Sequence, residues 1–209
     1  LKKSKKMPWY KGLSLVETLN TRFKKRINND FRFPIQDIYE LNGNKVAVGE
    51  IISGRIKNGE KVNILPLNKE CSVETIKVFD KNRPSANAPE SIGLILSDMS
   101  DLRRGRIICK PTLPKVTQEI LAKIFCVHSL NINENLRFRC VTQETSAQIK
   151  QIIGVWDTAS LEPKSKDDSL EQTDVVEAII VTDSPVAVES YQGFNSLGRF
   201  VLKSNSEIH

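Results

Sequence analysis

The chain has 209 residues, 39% apolar and 27% charged, with a formal net charge of +6. This is the make-up of a globular protein of one large or two small domains, and each half, at about 100 residues, can bury a core of its own. No apolar run approaches the ~20 residues of a membrane-spanning helix, and no apolar stretch of a secretory signal follows the basic N-terminus, so a cytoplasmic protein without membrane contact is expected.

The charge is concentrated at one end. Residues 1–33 carry ten basic and two acidic side chains, a net of +8, which leaves −2 for the remainder. Such a stretch fits nucleic acid, an acidic protein surface or a solvated linker. Within it, Ser14-Leu15-Val16-Glu17 has the form of a capping box. Leu15, Leu19, Phe23 and Ile27 then repeat every fourth residue, with Arg22, Lys24, Lys25 and Arg26 mostly on the other faces. This predicts a short amphipathic helix over 14–28. Residues 1–30 are therefore assigned as a basic linker with a helix.

From residue 31 the pattern changes to short β segments. Strands are expected over 33–41, 45–53 with 55–56, 62–65, 71–79, 92–96 and 106–109. Asn42-Gly43 marks a turn, Lys57-Asn58-Gly59-Glu60 a type I′ hairpin, and Asn82–Pro89 a loop. These six strands predict a small β-barrel over 31–112. Pro111-Thr112-Leu113-Pro114 reads as a stiff connection. Strands over 120–127, 136–142, 147–156, 175–181, 186–191 and 199–202, with a polar loop at 163–169, predict a second six-stranded barrel over 113–209. The fold class is all-β: two consecutive small barrels preceded by a linker helix.

No catalytic constellation is present. There is no phosphate-binding G-x-x-x-x-G-K-[ST], no H-E-x-x-H and no G-x-S-x-G. The two histidines, His128 and His209, have no companions. The pairs Asp98/Asp101 and Asp167/Asp168 fall in loop-like sequence and read as solvated. Cys71, Cys109, Cys126 and Cys140 lack metal or redox spacing and are expected to be buried free thiols. No catalytic, metal or cofactor-binding residue is assigned in this chain.

Five motifs in order carry a family resemblance. Met7-Pro8-Trp9-Tyr10-Lys11-Gly12, followed by Leu15, Glu17 and Leu19, resembles the link after the GTPase domain of elongation factor Tu-like, translation-factor-type GTPases. Arg32-Phe33-Pro34-Ile35-Gln36-Asp37-Ile38-Tyr39 resembles the start of their second domain. Gly49–Gly54 with Ile56–Val62, and Asp101-Leu102-Arg103-Arg104-Gly105, resemble later parts of that domain. Leu197-Gly198-Arg199-Phe200-Val201-Leu202 resembles a stretch of the third. The resemblance implies domains two and three of such a GTPase, with GTP and Mg in a preceding domain absent from this sequence. Opening on Leu1, the chain reads as a fragment or processed product, and the resemblance implies one more Gly-containing strand after His209.

Within the superfamily, Arg83-Pro84-Ser85 with Glu90–Leu94, Arg104–Pro111, and Ile149–Glu162 are similar to the GTPase (large) subunit of bacterial sulfate adenylyltransferase. That resemblance implies barrels that couple GTP hydrolysis to adenylylsulfate formation by a small catalytic partner subunit. The alternative is a translation elongation or ribosome-rescue factor that binds tRNA or the ribosome. Ile52 stands where tRNA-carrying members have a Glu of the pocket for the aminoacylated 3′ end, and an apolar side chain there cannot hydrogen-bond a polar ligand. The expected contacts with the GTPase domain or a partner are Trp9, Tyr10, Arg104 and Arg199.

Overall fold

The computed structural model describes residues 9–13, 17–18, 30–41, 43–79, 81–131, 133–158, 160, 162–164 and 169–204. The helix expected over 14–28 lies outside them apart from Glu17 and Thr18. The strands are β1 (Phe31–Leu41), β2 (Asn44–Glu50), β3 (Arg55–Lys57), β4 (Lys61–Leu65), β5 (Lys69–Val78), β6 (Lys81–Arg83), β7 (Ser85–Asn87), β8 (Ser91–Leu96) and β9 (Ile107–Lys110) in the first unit. The second unit holds β10 (Lys115–Phe125), β11 (Leu130–Asn131), β12 (Leu136–Cys140), β13 (Gln143–Trp156), β14 (Ser169–Leu170), β15 (Val175–Val188) and β16 (Val201–Ser204).

The first unit is a closed barrel. Its sheet runs β4-β9-β1-β2-β8-β5, and β5 pairs back onto β4, with β6 as an extension beside β5. Closure leaves the six ring strands with no free edge. The period-2 alternation of apolar residues puts Phe33, Ile35, Val62, Ile64, Val73, Leu94 and Ile108 inside, all essentially without solvent contact, each such side chain contributing about 1.5–3 kcal/mol by burial.

Two local expectations are corrected in this unit. Residues 57–60 form a turn with Gly59 at φ +80°, but Asn58 has no positive φ, so the turn is not type I′. Nor does β3 pair with β4. It pairs with β7, inside the stretch expected to be a loop. The cause is Glu90, whose carboxylate accepts from the backbone N–H of Asn87 (2.9 Å) and from Arg83 Nη1 (2.5 Å). This straightens 83–87 and drives Ala86 into the core.

The second unit has a five-stranded antiparallel sheet, β10-β15-β13-β12-β16, and a separate β11–β14 ribbon. The strands expected over 175–181 and 186–191 are one continuous β15 despite Pro185. The pairing of β10 with β15 jumps between Thr117 and Glu119, so 182–185 bulge out of register. Gln118 Nε2 spans the bulge, donating to the carbonyls of Thr182 and Asp183 (both 3.1 Å), while Thr182 Oγ1 donates to Ser184 O (2.9 Å). The proline thus sits where no ladder bond is lost.

Candidate functional site

The two units meet along a seam built around a buried cation. Arg32, on β1, is the largest side chain with no solvent contact. Its Nε donates to Glu189 Oε2 (3.1 Å) and its Nη2 to Glu189 Oε1 (2.7 Å), a two-pronged pair reaching from the first unit to the residue after β15. Nη1 donates to the Phe31 carbonyl (3.0 Å), the Asp30 carboxylate lies 3.7 Å from Nη2, and the guanidinium sits 5.9 Å from the centre of the Phe194 ring. A buried guanidinium is tolerated only when its charge and donors are met in this way.

Apolar packing continues the seam. Leu65, Ile107 and Cys109 of the first unit share one core cluster with Phe138, Cys140 and Ala187 of the second. At Gly105, φ is +90° and a β-carbon would lie 3.3 Å from the Thr142 carbonyl, so a side chain there would be strained and crowded against the other unit. All four cysteines are free and buried. Burial pushes the Cys109 thiol up to about 12 and the Cys140 thiol up to about 11, which keeps both protonated and unreactive at neutral pH.

The residues expected to meet a GTPase domain or partner fall at separate places. Trp9 is 73% exposed, its ring 6.0 Å from that of Tyr10 and nearly perpendicular to it. Tyr10 Oη donates to the Leu13 carbonyl (2.9 Å). Arg104, on the first unit, donates from Nη1 to Gln36 O (2.9 Å). Arg199, on the second, lies over the Tyr191 ring and donates to its hydroxyl (3.2 Å). Ile52 packs half-buried against the inter-barrel cluster, its N–H bonded to the Arg32 carbonyl (3.0 Å).

Sequence reasoning missed a surface cleft of about 440 Å³ on the first barrel, between Tyr39, Leu41, Val48, Lys77, Phe79 and Ile92. Phe79 is 95% exposed and held at φ +52°, a backbone region that bulky residues rarely adopt. The Val78-Phe79 apolar pair at the end of an alternating strand was its only signal. Elsewhere, His128 is exposed. Asp98 is held well below the usual carboxylate range by Lys69 and by the Ser100 hydroxyl and N–H, so it is a structural loop acid. Among the described residues no group of three or more His, Cys, Asp or Glu side chains is placed to hold a metal, and no helix is long and apolar enough to cross a membrane.

A closed six-stranded barrel, joined through a buried arginine to a second antiparallel β unit, is a fold shared with translation-factor-type GTPases, and the chain's relatives include elongation factor 1-alpha and sulfate adenylyltransferase subunit 1. Residues 119–208 match the family model described as GTP-eEF1A C-terminal domain-like. The chain is 29% identical over 213 residues to elongation factor 1-alpha of Methanoculleus marisnigri, covering 97% of this chain and 50% of that protein. It is 31% identical over 206 residues to sulfate adenylyltransferase subunit 1 of Bacteroides fragilis, covering 96% of this chain and 43% of that protein. The crystal structure of Sup35 complexed with GMPPNP shares the fold at a TM-score of 0.76 and 23% identity, covering 95% of this chain and 50% of that one. The chain therefore spans about half the length of the curated relatives it matches.

Proposed function

We infer that the two barrels act as a non-catalytic relay in a cytoplasmic GTPase: they take up the state of a GTP- and Mg-binding domain and present it, as one body, to a partner protein. The seam carries this reading. A relay must not dissipate motion at its own joint, and the Arg32–Glu189 pair with the shared apolar cluster makes relative movement of the units costly. The exposed Trp9–Tyr10 ring pair is the proposed contact with the GTPase domain, and Arg104 and Arg199 are proposed contacts on the barrels.

The partner proposed first is the small catalytic subunit of a sulfate adenylyltransferase, supported by the likeness to the Bacteroides fragilis subunit and by the stretches 83–94 and 149–162. The full-length protein, purified with its neighbouring subunit, is then expected to make adenylylsulfate in a GTP-dependent manner; a preparation that neither forms the complex nor shows that activity would overturn the assignment. A second reading, a translation factor, is supported by the likeness to elongation factor 1-alpha of Methanoculleus marisnigri, with Ile52 in place of the Glu of tRNA-carrying members against it. Aminoacyl-tRNA binding by the full-length protein that weakens steeply with salt would establish that alternative.

A further inference from the structure

The second sheet turns one face to its core and the other outward. On β15, Val176, Ala178 and Ile180 are core residues, so alternation sends Val175, Glu177, Ile179 and Val181 to the outer face. On β10, Ala122 is a core residue with Ile120 and Ile124 on its side, which leaves Leu121, Lys123 and Phe125 outside. This outer face is more apolar than a solvated sheet face needs to be. Leu121 is 64% exposed and Phe125 57%. Single apolar residues on a surface need no explanation, but a contiguous patch marks an interaction site.

The strand register sorts the patch into rows. Phe125 stands opposite Val175, and Val175 opposite Trp156. Leu121 stands opposite Ile179, and Ile179 opposite Gln151. Between these rows Lys123 stands opposite Glu177, and Glu177 opposite Gly154. An added β-carbon at Gly154 would collide with the Trp156 ring, so the glycine leaves room for the indole to lie back over the strand. The face is thus two apolar rows with one pair of opposite charges between them. A further strand beside β10 would pair with its edge and widen this face without covering it.

Such a face is complementary to itself. A two-fold axis parallel to the strands, midway between β10 and β15 and in the plane of contact, lays β10 of one copy over β15 of the other at the same level. Lys123 of each copy then meets Glu177 of the other, Phe125 meets Val175, and Leu121 meets Ile179. An axis along β15 would instead set Glu177 against its own counterpart, and an axis along β10 would do the same to Lys123, which like-charge repulsion opposes. We propose that the outer face of β10 and β15 is a homodimer interface, covered by the same face of a second copy of this chain. Sheets packed in this way lie about 10 Å apart with strand directions within about 30° of one another. The face is only a few strands wide, so the dimer belongs to the small, weak class of interfaces. The inference does not depend on which GTPase the barrels serve.

Sedimentation velocity on the 209-residue chain and on the full-length protein, from about 1 to 300 μM to suit a weak interface, is expected to show a reversible monomer–dimer equilibrium in both. Lys123→Glu and Glu177→Lys, each alone, set like charges across the contact and are expected to weaken the dimer about tenfold or more. Mixed in equal amounts, the two variants are expected to regain the parental dimerisation, because each acidic side chain of one then meets a basic side chain of the other. Loss in each variant with recovery in the mixture is not a result that misfolding produces. If a charge variant fails to fold, the double variant Leu121→Ser, Phe125→Ser, which keeps the charges and removes the apolar rows, is expected to stay monomeric over the same range. A parent that is monomeric throughout would overturn the proposal, as would a dimer indifferent to these substitutions or a mixture that does not recover. Dimerisation of the 209-residue chain that is lost in the full-length protein would also overturn it, since the face would then be covered by the rest of the protein.

Discussion

Breaking the Arg32–Glu189 pair tests whether the seam holds the two units as one body. Arg32 has no solvent contact and Glu189 keeps only 17% of its side-chain exposure, so neither charge can be rehydrated where it stands. Arg32→Ala leaves the Glu189 carboxylate without its two-pronged partner. Glu189→Ala leaves a buried guanidinium with only Asp30, at 3.7 Å, as counter-charge. Removal of one member of a buried pair costs about 3–5 kcal/mol, out of a total stability of about 5–15 kcal/mol, so each single variant should lose a large share. The double variant Arg32→Met with Glu189→Leu abandons no charge and should be less destabilised than either single one. Urea unfolding in a Trp9→Phe background, followed by far-UV circular dichroism, which senses both barrels, and by tryptophan fluorescence, which then senses Trp156 in the second, gives the double-mutant cycle. In the unaltered protein the two signals should coincide, and in the single variants they should separate as the barrels uncouple. Single variants within about 0.5 kcal/mol of the parent, or a double variant worse than the sum of the singles, would refute this account of the seam.

Phe79→Gly should stabilise the fold by about 0.5–1 kcal/mol, because an almost fully exposed ring loses little burial while glycine accepts φ +52° without penalty; urea midpoints report it. Gln118→Ala should cost about 0.5–1.5 kcal/mol by removing the hydrogen bonds to the Thr182 and Asp183 carbonyls in the β15 bulge, with faster amide exchange at 182–186 as the local readout. The thiols predict an alkaline limit. Their folded values, about 12 for Cys109 and about 11 for Cys140, lie above the ordinary 9.0, so the folded state retains protons that the unfolded chain releases. Their contribution is intact below pH 9 and declines from there through the folded values. Unfolding midpoints between pH 8 and pH 11 should fall less in the Cys109→Ala, Cys140→Ala variant than in the parent, and a thiol reagent at pH 7 should label both cysteines only as fast as the chain opens.

Much of the β architecture was written in local pattern. The period-2 apolar runs that become β4, β5, β8 and β12, and the turn at Gly43 before β2, depend on neighbours a few residues away. What escaped depends on partners far along the chain. The stretch 82–89 has the composition of a loop, and becomes β6 and β7 because Glu90 pins it and β3, some thirty residues earlier, accepts it. Pro185 reads as a strand end, and Gln118, across the sheet, overrules it. Arg32 stands in a strand whose alternation gives no sign that a cation is buried there, since its counter-charge is 157 residues away. Ile52 packs toward the other barrel, and motif position alone does not tell a seam residue from one that lines a cleft.

That distinction bears on how the two barrels could work. An interface residue in a cleft can vary with the ligand without disturbing the fold. A seam residue such as Ile52 or Arg32 is constrained by the other barrel, and its replacement is felt as altered docking of the units. If the barrels transmit the state of a GTPase domain, variation that distinguishes one partner from another should concentrate on surfaces away from the seam, such as the Phe79 cleft. Exchanging those surfaces with a relative while leaving residues 30–32, 52, 105, 142–143 and 187–189 untouched should then change partner choice without loss of cooperative unfolding. Exchange of the seam alone should do the reverse. A surface exchange that uncouples the barrels, or a seam exchange that redirects partner choice with the unfolding unchanged, would show that the joint itself carries recognition.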